Sequence, residues 1–406
     1  MNNKNSHHFP FHNHNKNLVY LDSAGTALKP KIVIEAINEY YEKYSINNHS
    51  GGGNFLFSKI QTTIQQTREI IAQRINAHSE EMTFLPSTTY SLNLLALSLK
   101  NCLKKGDKIC LTHFEHSSNC YPWQAIAQEK EAKVVFLDLN SDFTINIDDL
   151  SKYIDQKTKI VSFSHMSNSL GVINSVTEIV AKIKKINPNC LVIIDACQSI
   201  AHSSINVKKW NVDALVFSGH KVYGPTGIGI LWIKKELGEK LAHVLWGGGK
   251  KIGPNEKDTE NLPLNQKFEV GTLPLAQIFG LKKSFEFLNS LDIKEIEKQE
   301  INLKNYFIKE LLKLDKATIY NQNANSVNII LFNLKNYHSH DVADYLGRNN
   351  IYVRAGNFCC PYLNELIKTE SAIRVSLAIY NTKKDIHTLI NCLKDLIENP
   401  ELIINL

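Results

Sequence analysis

No run of apolar residues in this 406-residue chain approaches the ~20 positions that a helix needs to cross a bilayer, so no membrane span is expected. No block of like charge occurs either. Lysine and arginine number 46 and aspartate and glutamate 40, interleaved for a formal net charge of +6. Such mixing reads as a solvated surface, and no nucleic-acid partner is expected. Eight cysteines over this length are too few for a disulfide scaffold. Cys110, Cys190 and Cys197 lie in or beside apolar runs and read as buried thiols of a reducing cytoplasm. No internal repeat is visible. Residues 1–17 carry no apolar core of the kind a secretory signal has. With 43% hydrophobic and 21% charged residues, the chain is not a wholly disordered one, and its length suggests more than one domain.

What is present begins with a polar head. Residues 1–17 read as loose, and His7, His8, His12 and His14 as part of a polar tail rather than a metal site; no metal site is expected elsewhere. From about residue 60, helical periodicity (Ile64, Thr67, Ile71, Ile75) alternates with compact apolar runs at 109–111, 134–137, 160–163, 191–194, 215–217 and 228–233. Short runs that are apolar throughout indicate strands buried on both faces. Their alternation with helices predicts an α/β domain with a largely parallel sheet over 18–280. The pattern changes near 280. A long helical stretch over 285–314 leads into a smaller α+β domain over 281–406, with strands at 327–331, 351–354 and 372–377. Its last helix starts near Lys383, with Thr382 or Asn381 as N-cap.

In open α/β sheets, ligands bind beyond the carboxyl ends of the strands. Asp195 directly follows the run 191–194, and a buried carboxylate there needs a positive or protonated partner. After the run 215–217 come Ser218-Gly219-His220-Lys221 and a glycine-proline turn. A lysine at the mouth of a sheet suits Schiff-base chemistry. Together they form the pair that pyridoxal phosphate requires, although a structural salt bridge explains the same two residues equally well.

The wider motifs are more specific. Asp195-Ala196-Cys197-Gln198, followed by Phe217 through Gly229 in the order FSGHKVYGPTGIG, resembles the class V aminotransferase family of fold-type I enzymes dependent on pyridoxal 5'-phosphate. Within it the likeness is to SufS-type (group II) cysteine desulfurases, and matching stretches run from Tyr20 to Thr382. The resemblance implies a large cofactor-binding domain over 18–280, whose N-terminal segment packs on the small domain. It implies that Lys221 binds the cofactor covalently, Asp195 partners the ring nitrogen, Gln198 the phenolic oxygen, and His116 stacks on the ring. Asn168 stands beside cofactor and substrate. The implied phosphate ligands are Thr88, Thr89, Ser218 and His220, although Thr88 serves equally as a helix N-cap. The resemblance further implies that Thr272 reaches the phosphate of the other subunit, in a homodimer with its sites at the interface.

The loop Arg354-Ala355-Gly356-Asn357-Phe358-Cys359-Cys360-Pro361 resembles the one that carries the family's nucleophilic cysteine. Cys359 takes that place. Cys360 follows it, positioned to accept sulfur or to pair with Cys359, and Asn357 and Phe358 stand where the family has two histidines. Arg374 resembles the arginine that clamps the substrate carboxylate through its planar fork, with Arg354 assisting. The implied reaction converts L-cysteine to L-alanine. Lys221 serves as base at Cα, and Cys359 becomes a persulfide that a SufU- or SufE-like carrier collects for iron–sulfur cluster assembly or tRNA thiolation. Two other readings stay open at this point: a selenocysteine lyase or other class V sulfurase, and a scaffold of this fold without catalysis.

Overall fold

The computed structural model describes residues 5–49, 53–248 and 264–404. A short strand, β1 (Val19–Tyr20), comes first. The apolar runs then become strands of one large sheet, buried on both faces except at one edge, where Val134, Val135 and Phe136 are only half-buried. These are β2 (Met82–Leu85), β3 (Lys108–Leu111), β4 (Lys133–Phe136), β5 (Thr158–Ser164), β6 (Leu191–Asp195), β7 (Ala214–Ser218) and β8 (Gly229–Ile233). Their spatial order is β2-β8-β7-β6-β5-β3-β4. Strands β3 to β7 pair in parallel, and β8 runs antiparallel to both β7 and β2. The carboxyl ends of β2, β5, β6 and β7 therefore open on one edge.

The remaining strands are β9 (Ala317–Ile319), β10 (Ile329–Leu334), β11 (Ile351–Tyr352), β12 (Arg354–Gly356) and β13 (Ala372–Ser376), of which all but β11 form a second, antiparallel sheet. Its order is β12-β13-β10-β9, while β11 pairs in parallel with β1. Val19 and Leu21 thus join the core of the small sheet, beside Phe307, Ile373 and Leu389. The helix Lys383–Glu398 closes that core. Thr382 caps it, with Asp385 returning the bond to the Thr382 N–H.

Two expectations change. The helical stretch beyond 280 is two helices, Leu275–Asn289 and Ile293–Leu311, because the Asp292 carboxylate accepts from the N–H groups of Lys294 and Glu295 and starts a new helix. The first packs in the large core with Phe217 and Tyr223, and the second places Leu303 and Phe307 in the small core. The second helix also keeps Ile296 in the large core, so the change of core falls within that helix, between Ile296 and Leu303, and not at 280. The head is not loose over its described part either. Phe9 is 1% exposed. Its ring lies 4.9 Å from that of Tyr380, 5.8 Å from Phe287 and 5.9 Å from Tyr223. Phe11 adds a second anchor, packed on the same core with its ring 5.7 Å from that of Tyr20, and burial of such rings outweighs the cost of ordering a few residues. Phe9→Ala leaves a cavity among these rings and lowers stability by about 3–5 kcal/mol, read as a fall in the urea midpoint; an unchanged midpoint contradicts this anchoring.

Candidate active site

The helix Thr88–Leu99 starts beyond the end of β2. Ser87 is its cap, accepting from the Tyr90 N–H at 3.2 Å. Thr88 is therefore not the cap, and Thr88 and Thr89 both line a cavity at the sheet edge. Thr88 Oγ1 lies 3.0 Å from Ser218 Oγ and 2.8 Å from Cys197 Sγ, and Thr89 Oγ1 lies 2.7 Å from Ser118 Oγ. β7 ends at Ser218 and turns tightly through Gly219 to Lys221. A side chain at Gly219 would meet the Pro225 carbonyl and Ile228 at 2.9 Å, so the turn needs glycine. His220 and Lys221 line the cavity, and no hydrogen bond or ion pair among the described residues engages the Lys221 ammonium.

Asp195 ends β6 and is buried. Its Oδ1 accepts from the Cys197 N–H at 2.9 Å. Burial pushes its carboxyl up, opposed by hydrogen bonds from Cys197 and the charge of Lys221. No ion pair holds it among the described residues. Gln198 is also buried and donates to the Ala24 carbonyl at 2.9 Å. His116 Nδ1 accepts from the Ser118 N–H at 3.1 Å, so the neutral ring carries its proton on Nε2. Burial, with the charges of Lys221, Arg354 and Arg374, pushes this imidazole down to about 4. Behind it, buried Glu115 accepts from Thr112, Asn119 and Ser164, and burial raises it to about 7.

The small sheet supplies the opposite wall. β12 and β13 set Arg354 directly across from Arg374, and both line the cavity. Arg374 is 0% exposed. Its Nη1 donates to the Asn168 carbonyl at 2.8 Å and its Nη2 to Asp22 Oδ1 at 2.5 Å. Its guanidinium carbon stands 5.0 Å from the Phe358 ring. Phe358, in place of a family histidine, is thus a buried platform under the arginine.

Cys359 is exposed, and Arg354 Nη2 lies 3.3 Å from its sulfur. Phe358 and Cys359 both have left-handed backbones, φ 56° and 57°. Such residues cost on the order of 1–3 kcal/mol each and persist where neighbours hold them. Here the Ser117 N–H and hydroxyl both donate to the Cys359 carbonyl, at 2.7 and 2.8 Å, and Asn168 Nδ2 donates to that of Phe358 at 2.9 Å. Cys360 is different. It is buried, its thiol contacts the His113 carbonyl at 3.5 Å, and burial pushes it up to about 12.

One cavity of about 170 Å³ therefore gathers Thr88, Thr89, His116, Asn168, Asp195, Gln198, Ser218, His220, Lys221, Arg354 and Arg374. Cys359 sits beside it through Arg354. Thr272 is exposed and lines no part of it. Sequence reasoning passed over Asp22, Ser117 and Ser118. Asp22 carries the same signal as Asp195, a carboxylate closing an apolar run.

The donor set fits pyridoxal phosphate. A twelve-residue helix opens on the cavity beside four hydroxyls, Thr88, Thr89, Ser118 and Ser218, suited to a phosphate. The buried Asp195, with no ion pair among the described residues, suits a protonated ring nitrogen.

The Aminotransferase class-V family model matches residues 19–389. A protein of Ureaplasma parvum named a probable cysteine desulfurase is 39% identical over 394 residues, 97% of each chain. One of Halalkalibacterium halodurans with the same name is 40% identical over 376 residues, 92% of this chain and 91% of the other. Among solved structures, the apo form of a cysteine desulfurase from Thermococcus onnurineus superposes with a TM-score of 0.90 at 32% identity over 97% of both chains. The S-sulfonic acid form of the cysteine desulfurase CsdA from Escherichia coli gives 0.89 at 30%, again over 97% of both. With a family model spanning most of its length and these sheet-edge residues in one cavity, the chain belongs to the class-V aminotransferase family.

Proposed function

We propose that this protein is a cysteine desulfurase that converts L-cysteine to L-alanine and keeps the sulfur as a persulfide on Cys359. The observation that carries this reading is the exposed Cys359, whose sulfur lies 3.3 Å from Arg354, a residue that lines the same cavity as Lys221 and Asp195. The relatives' names support the substrate.

When bound, pyridoxal 5'-phosphate supplies a carbonyl for an amine and a cationic ring that withdraws electrons from Cα. Lys221 holds it and then moves the proton at Cα; among the described residues no hydrogen bond or ion pair competes for its side chain. Asp195 pairs with the ring nitrogen, Gln198 with the phenolic oxygen, and neutral His116 covers the ring face with its Nε2 proton available. Thr88, Thr89, Ser218 and His220 take the phosphate, and Thr272 reaches the phosphate of a second subunit in a homodimer. Arg374 takes the substrate carboxylate, with Asn168 and Arg354 beside it.

Cys359 acts on sulfur. Its Sγ bonds to the substrate sulfur, the substrate carbon–sulfur bond breaks with the electron pair left on carbon, and that carbon takes a proton to become the methyl of alanine. Arg354 places a fixed cation beside the atom that bears charge when the thiol ionises. The exposed persulfide passes to a SufU- or SufE-like carrier in the cytoplasm. Cys360, buried and held neutral, takes no part.

Alanine release from L-cysteine tests this. Cys359→Ser is expected to lose roughly a hundredfold or more of turnover, and Cys360→Ala to keep it. Lys221→Ala loses both turnover and the visible absorbance of the purified protein. Turnover that survives Cys359→Ser, with selenocysteine preferred, contradicts the proposal. Thiol labelling supplies a second check. At pH 8 iodoacetamide should modify Cys102 and Cys359 but spare Cys110, Cys120, Cys190 and Cys360, which burial holds at about 12. Labelling of Cys360 in the folded protein contradicts its burial.

A further inference from the structure

The arginine assigned to the substrate carboxylate already has a carboxylate against it. Asp22 is 8% exposed, and its Oδ1 accepts from Arg374 Nη2 at 2.5 Å. The proposed reaction uses no second carboxylate here, and an anion at the clamp reduces its attraction for another anion. Asp22 therefore needs a different reason to be present.

Geometry supplies one. Arg374 is wholly shielded, and its Nε is buried with no hydrogen-bond partner among the described residues. Its orientation rests on the Asn168 carbonyl at Nη1, the Phe358 ring under its face, and Asp22 at Nη2. The carbonyl and the ring leave the guanidinium free to swing about Nη1, and Asp22 stops that swing. Each terminal nitrogen carries two hydrogens and spends one on these contacts, so each keeps one N–H for a substrate carboxylate.

Asp22 is itself held for this. Its backbone bridges to Ser376 at the end of β13. Ser23 and Tyr380 share a hydrogen bond of 2.6 Å, and the Ala24 N–H donates to Ser376 Oγ at 2.9 Å. Gly25 leaves the room. A Cβ at Gly25 would lie 2.4 Å from Asp22 Oδ2 and 2.9 Å from its Cγ. Gly25 is not among the residues with positive φ, so its backbone accepts alanine, and the three atoms nearest to an added methyl all belong to the Asp22 carboxylate.

We propose that Asp22 is the positioning residue of the carboxylate clamp: with Gly25 leaving it space, it sets the Arg374 fork to receive the α-carboxylate of the amino-acid substrate. This rests on the reading of Arg374 as the clamp.

The test is steady-state kinetics of the holoenzyme with L-cysteine, with melting temperature and cofactor absorbance alongside. Asp22→Ala should raise KM roughly tenfold or more while kcat holds, the signature of lost uniform binding. Asp22→Asn, which keeps an acceptor oxygen, should recover most of the loss. Gly25→Ala should raise KM in the wild-type background and do nothing further in Asp22→Ala, since the group it pushes is gone. A KM that falls in Asp22→Ala shows competition with substrate and overturns the proposal. So does a loss in kcat that merely tracks melting temperature or cofactor content, or additive effects of the two substitutions. Should Asp22→Ala not fold, Gly25→Ala with Asp22→Asn decides: an unchanged KM in Gly25→Ala overturns the proposal. Arg374→Ala separates the two readings. If it leaves KM unchanged, the clamp assignment falls and takes this proposal with it. If it raises KM and Gly25→Ala does not, only the role of Asp22 falls.

Discussion

A guanidinium shut away from water is costly unless neighbours compensate it, and Arg374 draws that compensation from three distant parts of the chain. Asp22 comes from the N-terminal segment, the Asn168 carbonyl from the loop after β5, and the Phe358 ring from the loop after β12. Removing one partner of such a buried pair leaves an uncompensated charge, so the three segments are bound to meet here in the folded state. The meeting point is also the seam between the two sheets. Arg374 belongs both to the ionic contact that closes the fold and to the wall of the cavity.

The N-terminal segment continues this role past Asp22. The Ala24 carbonyl holds the Gln198 amide. The His220 carbonyl, one bond before Lys221, accepts from the Ala27 N–H at 3.0 Å and from Thr26 Oγ1 and Lys29 Nζ at 3.2 Å each. Lys29 is largely enclosed, and burial lowers its ammonium to about 8. Eight residues thus fasten the arginine, the glutamine and the peptide of the lysine. Both sides of the cavity take their geometry from one strap of backbone, which is why side chains supplied by two sheets can serve one small ligand.

Much of this was legible in the residues. Asp195 and Lys221 stood out because a charged side chain ends a run that is otherwise apolar, and such a charge must face something. Cys359 and Arg374 came through their motifs. Other features were out of reach for physical reasons. An apolar run reads the same in either direction, so the antiparallel sense of β8 carried no sign. Ser87 and Thr88 both offer a hydroxyl at a helix start, and only the backbone decides which one caps. Lys- and Glu-rich periodicity runs across 290–292 and hides the break that Asp292 makes. Phe9 lies in a polar head while its partners stand more than two hundred positions away. Asp22 carried the same signal as Asp195, but its meaning depends on an arginine 352 residues further on.

The central claim is that sulfur leaves L-cysteine by way of Cys359. A single turnover with limiting L-cysteine, quenched with an alkylating agent and read by mass spectrometry of the peptide 354–368, tests it most directly. The account predicts one added sulfur on Cys359 for each alanine released, with Cys360 unmodified. Alanine released with no sulfur on that peptide, or with the sulfur on Cys360, would contradict it.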